Sequence, residues 1–280
     1  MASRKNFQRY VWFAVALLGC ALMLYPLVWM ISSSFKPEAL IFYDRSLFIR
    51  EFTFENYIRG FGGVAGIPFW RFMVNTFQIV IPVVIGTVIS CSMAAFAFVR
   101  LRFVGIKIYF VLMILTMMLP VHGVLIPRFL MFNALGWIDT YLPLTVPAFF
   151  GLGSFFIFLF VQFIRGIPVE IDQAATVDGC GPIQIYIRII MPLCVPAILT
   201  SAIFSFIWTY DDFFSQLIYI HTASMFTVSL ALRQYTEVLE ESAFGTLFAM
   251  STVALLPLFI FFISCQKYLV EGIATTGIKG

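Results

Sequence analysis

Runs of about twenty apolar residues recur along most of this chain, and they restrict its fold more than any other feature. In a helix, a stretch of that length spans the hydrocarbon core of a bilayer. Such runs lie at about 10–33, 72–99, 108–131, 141–164, 193–220 and 242–266, the fifth interrupted by Asp211-Asp212. They predict an all-α, polytopic membrane protein with six transmembrane helices in a single domain over residues 1–280. Composition agrees: 61% of residues are hydrophobic and 11% charged, with mean hydropathy +0.99, against roughly 25% charged in soluble domains. The longest polar gap, between Phe35 and Arg71, leaves little room for a soluble domain.

The first run follows Arg4, Lys5 and Arg9, as a signal peptide would. It is nevertheless too long for the roughly 7–15-residue core of such a peptide, and no small-residue cleavage site follows, so it reads as a retained helix. Orientation follows from Lys and Arg. With six crossings, one side holds Arg4, Lys5, Arg9, Arg100, Arg102, Lys107, Arg165, Arg188, Lys267 and Lys279. The short basic turn from Arg100 to Lys107, wedged between two runs, makes that side cytoplasmic, with both termini on it. The net charge of +3 then reflects topology, and nucleic-acid binding is excluded as a reading.

Enzyme signatures are missing. No G-x-x-x-x-G-K-[ST] phosphate loop occurs, His122 and His221 stand apart with no H-E-x-x-H, and there is no G-x-S-x-G elbow. Catalytic and metal-ligating residues are therefore assigned to none. Cys20, Cys91, Cys180, Cys194 and Cys265 show no metal spacing or bridge framework and read as small apolar filler. Gly151-Leu-Gly-Ser154, inside an apolar run, reads as a site of close helix packing or a bend.

The most polar segment between two runs is about 167–192. Several charges and three prolines there are costly in hydrocarbon, so the segment lies outside the bilayer. Pro168 suits a helix's first turn, and Glu170 and Asp172 suit its positive end. Ala174 and Ala175 form helix with little bulk, so another surface can approach the backbone. Asp178-Gly179 ends the helix with a left-handed glycine cap. Gly181-Pro182 restarts it, with Ile183, Ile187 and Ile190 as an apolar stripe turned back toward the membrane. Such a knob serves either as an amphipathic rest on the lipid surface or as a docking surface for another protein.

Around Gln173 the chain resembles the EAA loop of permease subunits in ATP-binding-cassette (ABC) importers. Ala174-Ala175, Asp178-Gly179, Pro192 and Pro196 match that pattern, while Gln173 replaces its glutamate. Over essentially its whole length the chain is similar to the MalG-type subfamily of carbohydrate importers. The matches include Ser34-Phe-Lys-Pro37, Asn75-Thr76, Ala94-Ala-Phe-Ala-Phe-Val-Arg-Leu-Arg102, Met118-Leu-Pro120, Leu135-Gly136 and Gln266-Lys-Tyr-Leu-Val-Glu-Gly272. Trp208-Thr-Tyr-Asp-Asp-Phe213 departs from the usual Trp-Asn-Asp-Phe.

The resemblance implies an ATP-driven, binding-protein-dependent importer subunit for a sugar, oligosaccharide or polyol in a bacterial or archaeal cytoplasmic membrane. It implies a second, MalF-like permease chain, two ATPase subunits that bind ATP and Mg, and an extracytoplasmic solute-binding protein. No cofactor belongs to this chain. Glu170, Gln173, Ala174, Ala175, Asp178 and Gly179 are the implied ATPase-coupling residues. Glu237, Glu240 and Glu241 are candidate binding-protein contacts, and Gly277 and Lys279 are candidate tail contacts with the ATPase. Asn75, Tyr210, Asp211 and Asp212 are candidates for the pathway or a gate. The acid pair reads equally as an interfacial pair or a cap at a helix break. A different solute, such as a phosphorylated polyol, or a proton-coupled secondary transporter using Asp211 and Asp212, are the alternatives.

Overall fold

The computed structural model describes residues 2–237 and 243–277. Among them the regular elements are helical, with one isolated bridge between Val64 and Ile67. In chain order the helices are α1 (Ala2–Ser34), α2 (Glu38–Ile41), α3 (Glu55–Gly62), α4 (Phe69–Arg100), α5 (Ile106–Met117), α6 (Leu125–Ala134), α7 (Leu142–Thr145) and α8 (Ser154–Arg165). There follow α9 (Val169–Val177), α10 (Pro182–Ile185), α11 (Met191–Leu193), α12 (Val195–Tyr210), α13 (Phe213–Tyr219), α14 (Val228–Glu237) and α15 (Phe244–Gly277).

Four segments are long and apolar enough to cross a membrane: Gln8–Ser34, Phe69–Arg100, Leu142–Arg165 (taken across a bend) and Phe244–Gln266. A fifth candidate is the pair Pro182–Leu193 and Val195–Tyr210, which meet at 78°. Three of the apolar runs are thus broken where one helix was expected. The run at 108–131 stops at Met117, because Pro120 has no N–H to continue the ladder, and resumes through a tight turn into α6. The run at 141–164 breaks at Gly151, whose φ of 64° is left-handed, so the Gly151–Ser154 signal resolves as a bend. The run at 193–220 ends at Tyr210: Asp211 closes α12, and the Asp212 carboxylate accepts the Ser215 N–H at 3.0 Å to start α13.

The chain forms two compact units, Met1–Arg71 with Ala231–Leu256, and Phe72–Leu230 with Pro257–Gly280. In the first, α1 is exposed along most of its length, as suits a helix in lipid. The polar gap after it is ordered by buried polar groups. Lys36, 1% exposed, donates from Nζ to the carbonyls of Asp44 (3.0 Å) and Ser46 (2.6 Å). Asn56 Nδ2 donates to the carbonyls of Ser34 (2.9 Å) and Lys36 (2.8 Å). The Glu38 carboxylate accepts the N–H groups of Phe244 (2.7 Å) and Gly245 (2.8 Å), neutralising the positive end of α15. The buried Tyr235 hydroxyl donates to the Gly60 carbonyl at 2.6 Å.

The second unit has its main core where α4, α8, α9, α10 and α12 meet, around Phe96, Phe160, Ile164, Ala175, Ile190 and Cys194. Cys91 and Cys194 are buried free thiols here, as the apolar-filler reading expects. A second cluster joins Ile79 and Val83 of α4 to Ile220 and Leu230.

Candidate functional site

The segment 167–192 folds as a helix, a sharp turn and a second helical arm. Pro168, with ψ of 134°, immediately precedes α9, and its extended backbone starts the helix one position later than the sequence suggests. Glu170 and Asp172 fall in the first turn. At the other end Gly179 takes φ of 85°, which lets the Gly179 N–H reach the Thr176 carbonyl (3.0 Å) and the Cys180 N–H reach the Ala175 carbonyl (2.9 Å). These two bonds are a Schellman closure. Pro182 then opens α10, with Gln184 Oε1 accepting the Gly181 N–H at 2.9 Å.

The two faces of α9 differ. Glu170, Gln173, Ala174, Val177, Asp178 and Gly179 are exposed, whereas Asp172 and Ala175 are buried. Ala174 therefore leaves room for an approaching surface, and Ala175 packs into this chain's own core. The stripe of Ile183, Ile187 and Ile190 is not one face: Ile183 and Ile187 are exposed, and Ile185 and Ile190 point inward. The cause is a π-helical turn at Tyr186–Ile190, whose i to i+5 repeat brings 185 and 190 onto the same side.

Behind α9 lies an ion pair. Arg100, the last residue of α4, contacts the Asp172 carboxylate through Nε, and both side chains are nearly buried. The contact is an ion pair, and neither Asp172 oxygen nor Arg100 Nε has a hydrogen-bond partner. Arg100 Nη2 donates to the Ile167 carbonyl at 2.8 Å, just before α9 begins. Tyr186 adds a second tie, its hydroxyl lying 2.8 Å from that of Ser92 on α4. Sequence reasoning assigned Arg100 to topology and Asp172 to the helix dipole. The signal for their pairing was an arginine closing one run and an acid on the inner face of the next polar helix.

The other candidate residues sit elsewhere. Asn75 is fully buried and donates from Nδ2 to the carbonyls of Ser224 (2.9 Å) and Phe226 (2.8 Å). Thr76 Oγ1 accepts the Val228 N–H at 3.0 Å. Tyr210 is buried and stacks on Phe206. Asp211 is exposed, and Asp212 caps α13. On the loop before α7, Asp139 takes a left-handed φ of 61° and accepts hydrogen bonds from the Thr222 hydroxyl and from the N–H groups of Thr222 (2.8 Å) and His221 (2.9 Å). Those bonds, the Thr222 hydroxyl first, hold its carboxyl below the ordinary carboxylate value. Glu240, Glu241 and Lys279 lie outside the described residues, as do the side chains of Glu237 and the position of Gly277 beyond its place at the end of α15. Among the described residues no cluster of three or more His, Cys, Asp or Glu side chains is arranged to hold a metal.

A groove of about 720 Å³ in the second unit is lined mostly by apolar groups, Met93, Phe98, Met113, Phe149 and Ile157 among them. It offers few of the directional polar groups that fix a hydrophilic solute.

Helical elements throughout the described residues, several of them of membrane length, with one polar helical knob, are the architecture of an integral membrane protein. Residues 86–275, more than half of the chain, match the family described as binding-protein-dependent transport system inner membrane component, and the chain belongs to that family. It is a transport subunit rather than an enzyme, and subunits of this kind act with a partner permease, ATPases and a binding protein. It is 28% identical over 265 residues to the trehalose/maltose transport system permease protein MalG of Thermococcus litoralis, covering 95% of each chain. It is 29% identical over 268 residues to the sn-glycerol-3-phosphate transport system permease protein UgpE of Brucella abortus, covering 94% of each. Its fold is that of a chain in the crystal structure of a bacterial ABC transporter involved in the import of the acidic polysaccharide alginate. The TM-score is 0.83 at 21% identity, over 94% of this chain and 98% of that one.

Proposed function

We propose that this chain is the permease subunit of an ATP-driven importer for a sugar, oligosaccharide or related polyol. In this reading it crosses the cytoplasmic membrane six times as one permease domain, with both termini and the 167–192 knob in the cytoplasm. The pathway is shared with a second permease chain, ATP and Mg are bound by two cytoplasmic ATPase subunits, and an extracytoplasmic binding protein delivers the solute. The observation that carries the reading is the knob: a short helix with Glu170, Gln173, Ala174 and Asp178 on its exposed face, closed by a rigid glycine turn. A convex, polar, low-bulk helix fits a cleft on a soluble partner and passes the movement of that partner to the membrane helices as a rigid-body shift. Asp211, Asp212, Asn75 and Tyr210 are proposed to border the pathway, Glu237, Glu240 and Glu241 to face the binding protein, and Gly277 and Lys279 to reach the ATPase.

The carbohydrate class rests on the trehalose/maltose relative. A phosphorylated polyol is the second reading, favoured by the sn-glycerol-3-phosphate relative at similar identity. Proton-coupled transport has less support, because Asp212 is occupied in capping α13.

Purification of the tagged chain from its native membrane in mild detergent tests the assembly. Co-purification of a second permease and of ATPase at two ATPase copies per permease pair is expected. Uptake of disaccharide and of glycerol phosphate by vesicles holding the complex, with ATP inside, separates the two solute classes. A chain that is stable alone and transports only on a proton gradient would refute the reading.

A further inference from the structure

We propose that Arg100 is a positioning residue for energy coupling, tying the docking helix α9 to the membrane helix α4. The inference rests on the reading of α9 as the ATPase-docking element and assigns the route by which its movement enters the membrane. Three observations carry it. Arg100 meets α9 at two points, the Asp172 carboxylate and the Ile167 carbonyl, so both the entry to α9 and its first turn are fixed to one guanidinium. Both side chains of the pair are nearly buried, and no hydrogen bond reaches either Asp172 carboxylate oxygen, so Arg100 is the group that balances this charge. The same helix carries Asn75 and Thr76 at its far end, and these hold the 224–228 turn. The two ends lie about 37 Å apart along α4 at 1.5 Å per residue.

A guanidinium can hold both points at once because its donors form a planar fork, which an ammonium lacks. Separating a buried arginine from its carboxylate leaves a charge without compensation, so α9 and α4 move together rather than part. A shift of α9 against the cytoplasmic partner is therefore delivered to α4 directly.

The test uses the complete complex in vesicles, with solute uptake and ATP hydrolysis measured together, for Arg100→Gln, Asp172→Asn, the double variant and Arg100→Lys. A solely structural role lowers the amount of assembled complex and leaves uptake per ATP of the surviving complexes unchanged. Coupling free energies of this kind correspond to effects of about 5–150-fold. Uptake per ATP is expected to fall about tenfold in each of the two single neutral variants, with the double variant no worse than the more severe of them, since the pair acts as one unit. Arg100→Lys, keeping the charge but only one of the two contacts, should lie between wild type and Arg100→Gln. Unchanged uptake per ATP in the variants overturns the inference. So do losses that multiply in the double variant, or loss of assembly in every variant including Arg100→Lys. If the unmodified complex itself binds no ATPase, the docking reading fails and takes the inference with it, an outcome distinct from normal coupling in the variants.

Discussion

Asn75 makes two hydrogen bonds across roughly 150 residues of sequence, and their removal has a calculable cost. Asn75→Leu keeps the branched outline of the side chain, at a larger volume, and deletes the donations to the Ser224 and Phe226 carbonyls. Each bond contributes about 1 kcal/mol net, and carbonyls left without a donor add to that, so the loss is about 2–3 kcal/mol. Thr76→Val, which removes the acceptor for the Val228 N–H together with the hydroxyl's own donation to the Phe72 carbonyl at 2.9 Å, should cost about 1–2 kcal/mol. At roughly 2–4 °C per kcal/mol for a chain of this size, Asn75→Leu should melt roughly 4–12 °C below wild type. The cysteines supply the assay. Cys91 and Cys194 are buried and Cys20 is exposed. In detergent, a thiol-reactive fluorophore should label Cys20 at once and the buried pair only as the second unit opens. An Asn75→Leu melting point within about 1 °C of wild type would refute the assignment of these bonds as the clasp on the 224–228 turn, given the shift expected from their number.

Other outcomes follow from the same geometry. Asp139 has its carboxyl held below the ordinary value by Thr222 and His221, so this stabilisation is complete above the unfolded carboxylate pKa and is lost as pH falls through the lower folded value. Amide exchange at His221 and Thr222, corrected for intrinsic rates, should therefore be slow near neutral pH and fast in acid, and fast at both in Asp139→Ala. Gly179→Ala meets no neighbouring atom, so its cost is the left-handed backbone alone, about 1–2 kcal/mol, read as a lowered melting temperature with the fold intact. Gln173→Glu, on the exposed face of α9, should leave uptake per ATP within about twofold of wild type, because a carboxylate keeps the acceptor that the amide offers and Glu170, Asp178 and the shape of the helix remain to dock it. A large loss of transport would show that the glutamine is required.

Hydropathy made the class and the helical fold legible, because apolar runs of membrane length have few other solutions in a bilayer. The glycine and proline punctuation of the knob was equally readable, since Gly179 and Pro182 act through local backbone geometry. What escaped sequence reasoning depended on partners remote in the chain. A lysine in a polar gap reads as solvated, and nothing local shows that Lys36 is enclosed by the carbonyls of Asp44 and Ser46. The π turn at 186–190 was hidden for another reason. A 3.6-residue period was assumed, and only the packing of Ile185 and Ile190 into the core selects the wider one. The acid pair was visible as an anomaly, but its division into an exposed Asp211 and a capping Asp212 depends on where α12 stops.

The 78° meeting of Pro182–Leu193 with Val195–Tyr210 makes the arm and α12 a bell crank. Pro196 removes the N–H that would straighten the joint, so the angle is built into the backbone rather than imposed by load. By helix rise the input arm is about 18 Å long and the output arm about 24 Å. A rigid crank of those proportions enlarges a displacement about 1.3-fold and turns it through a near-right angle. With α12 standing along the membrane normal, as a crossing segment does, movement of the knob along that normal would thus emerge at Tyr210 and Asp211 largely within the membrane plane. Paired spin labels at Ile183 and Trp208 would register this as a fixed mutual distance through the transport cycle, whereas a distance that changes would mean that the joint bends and the crank is not rigid.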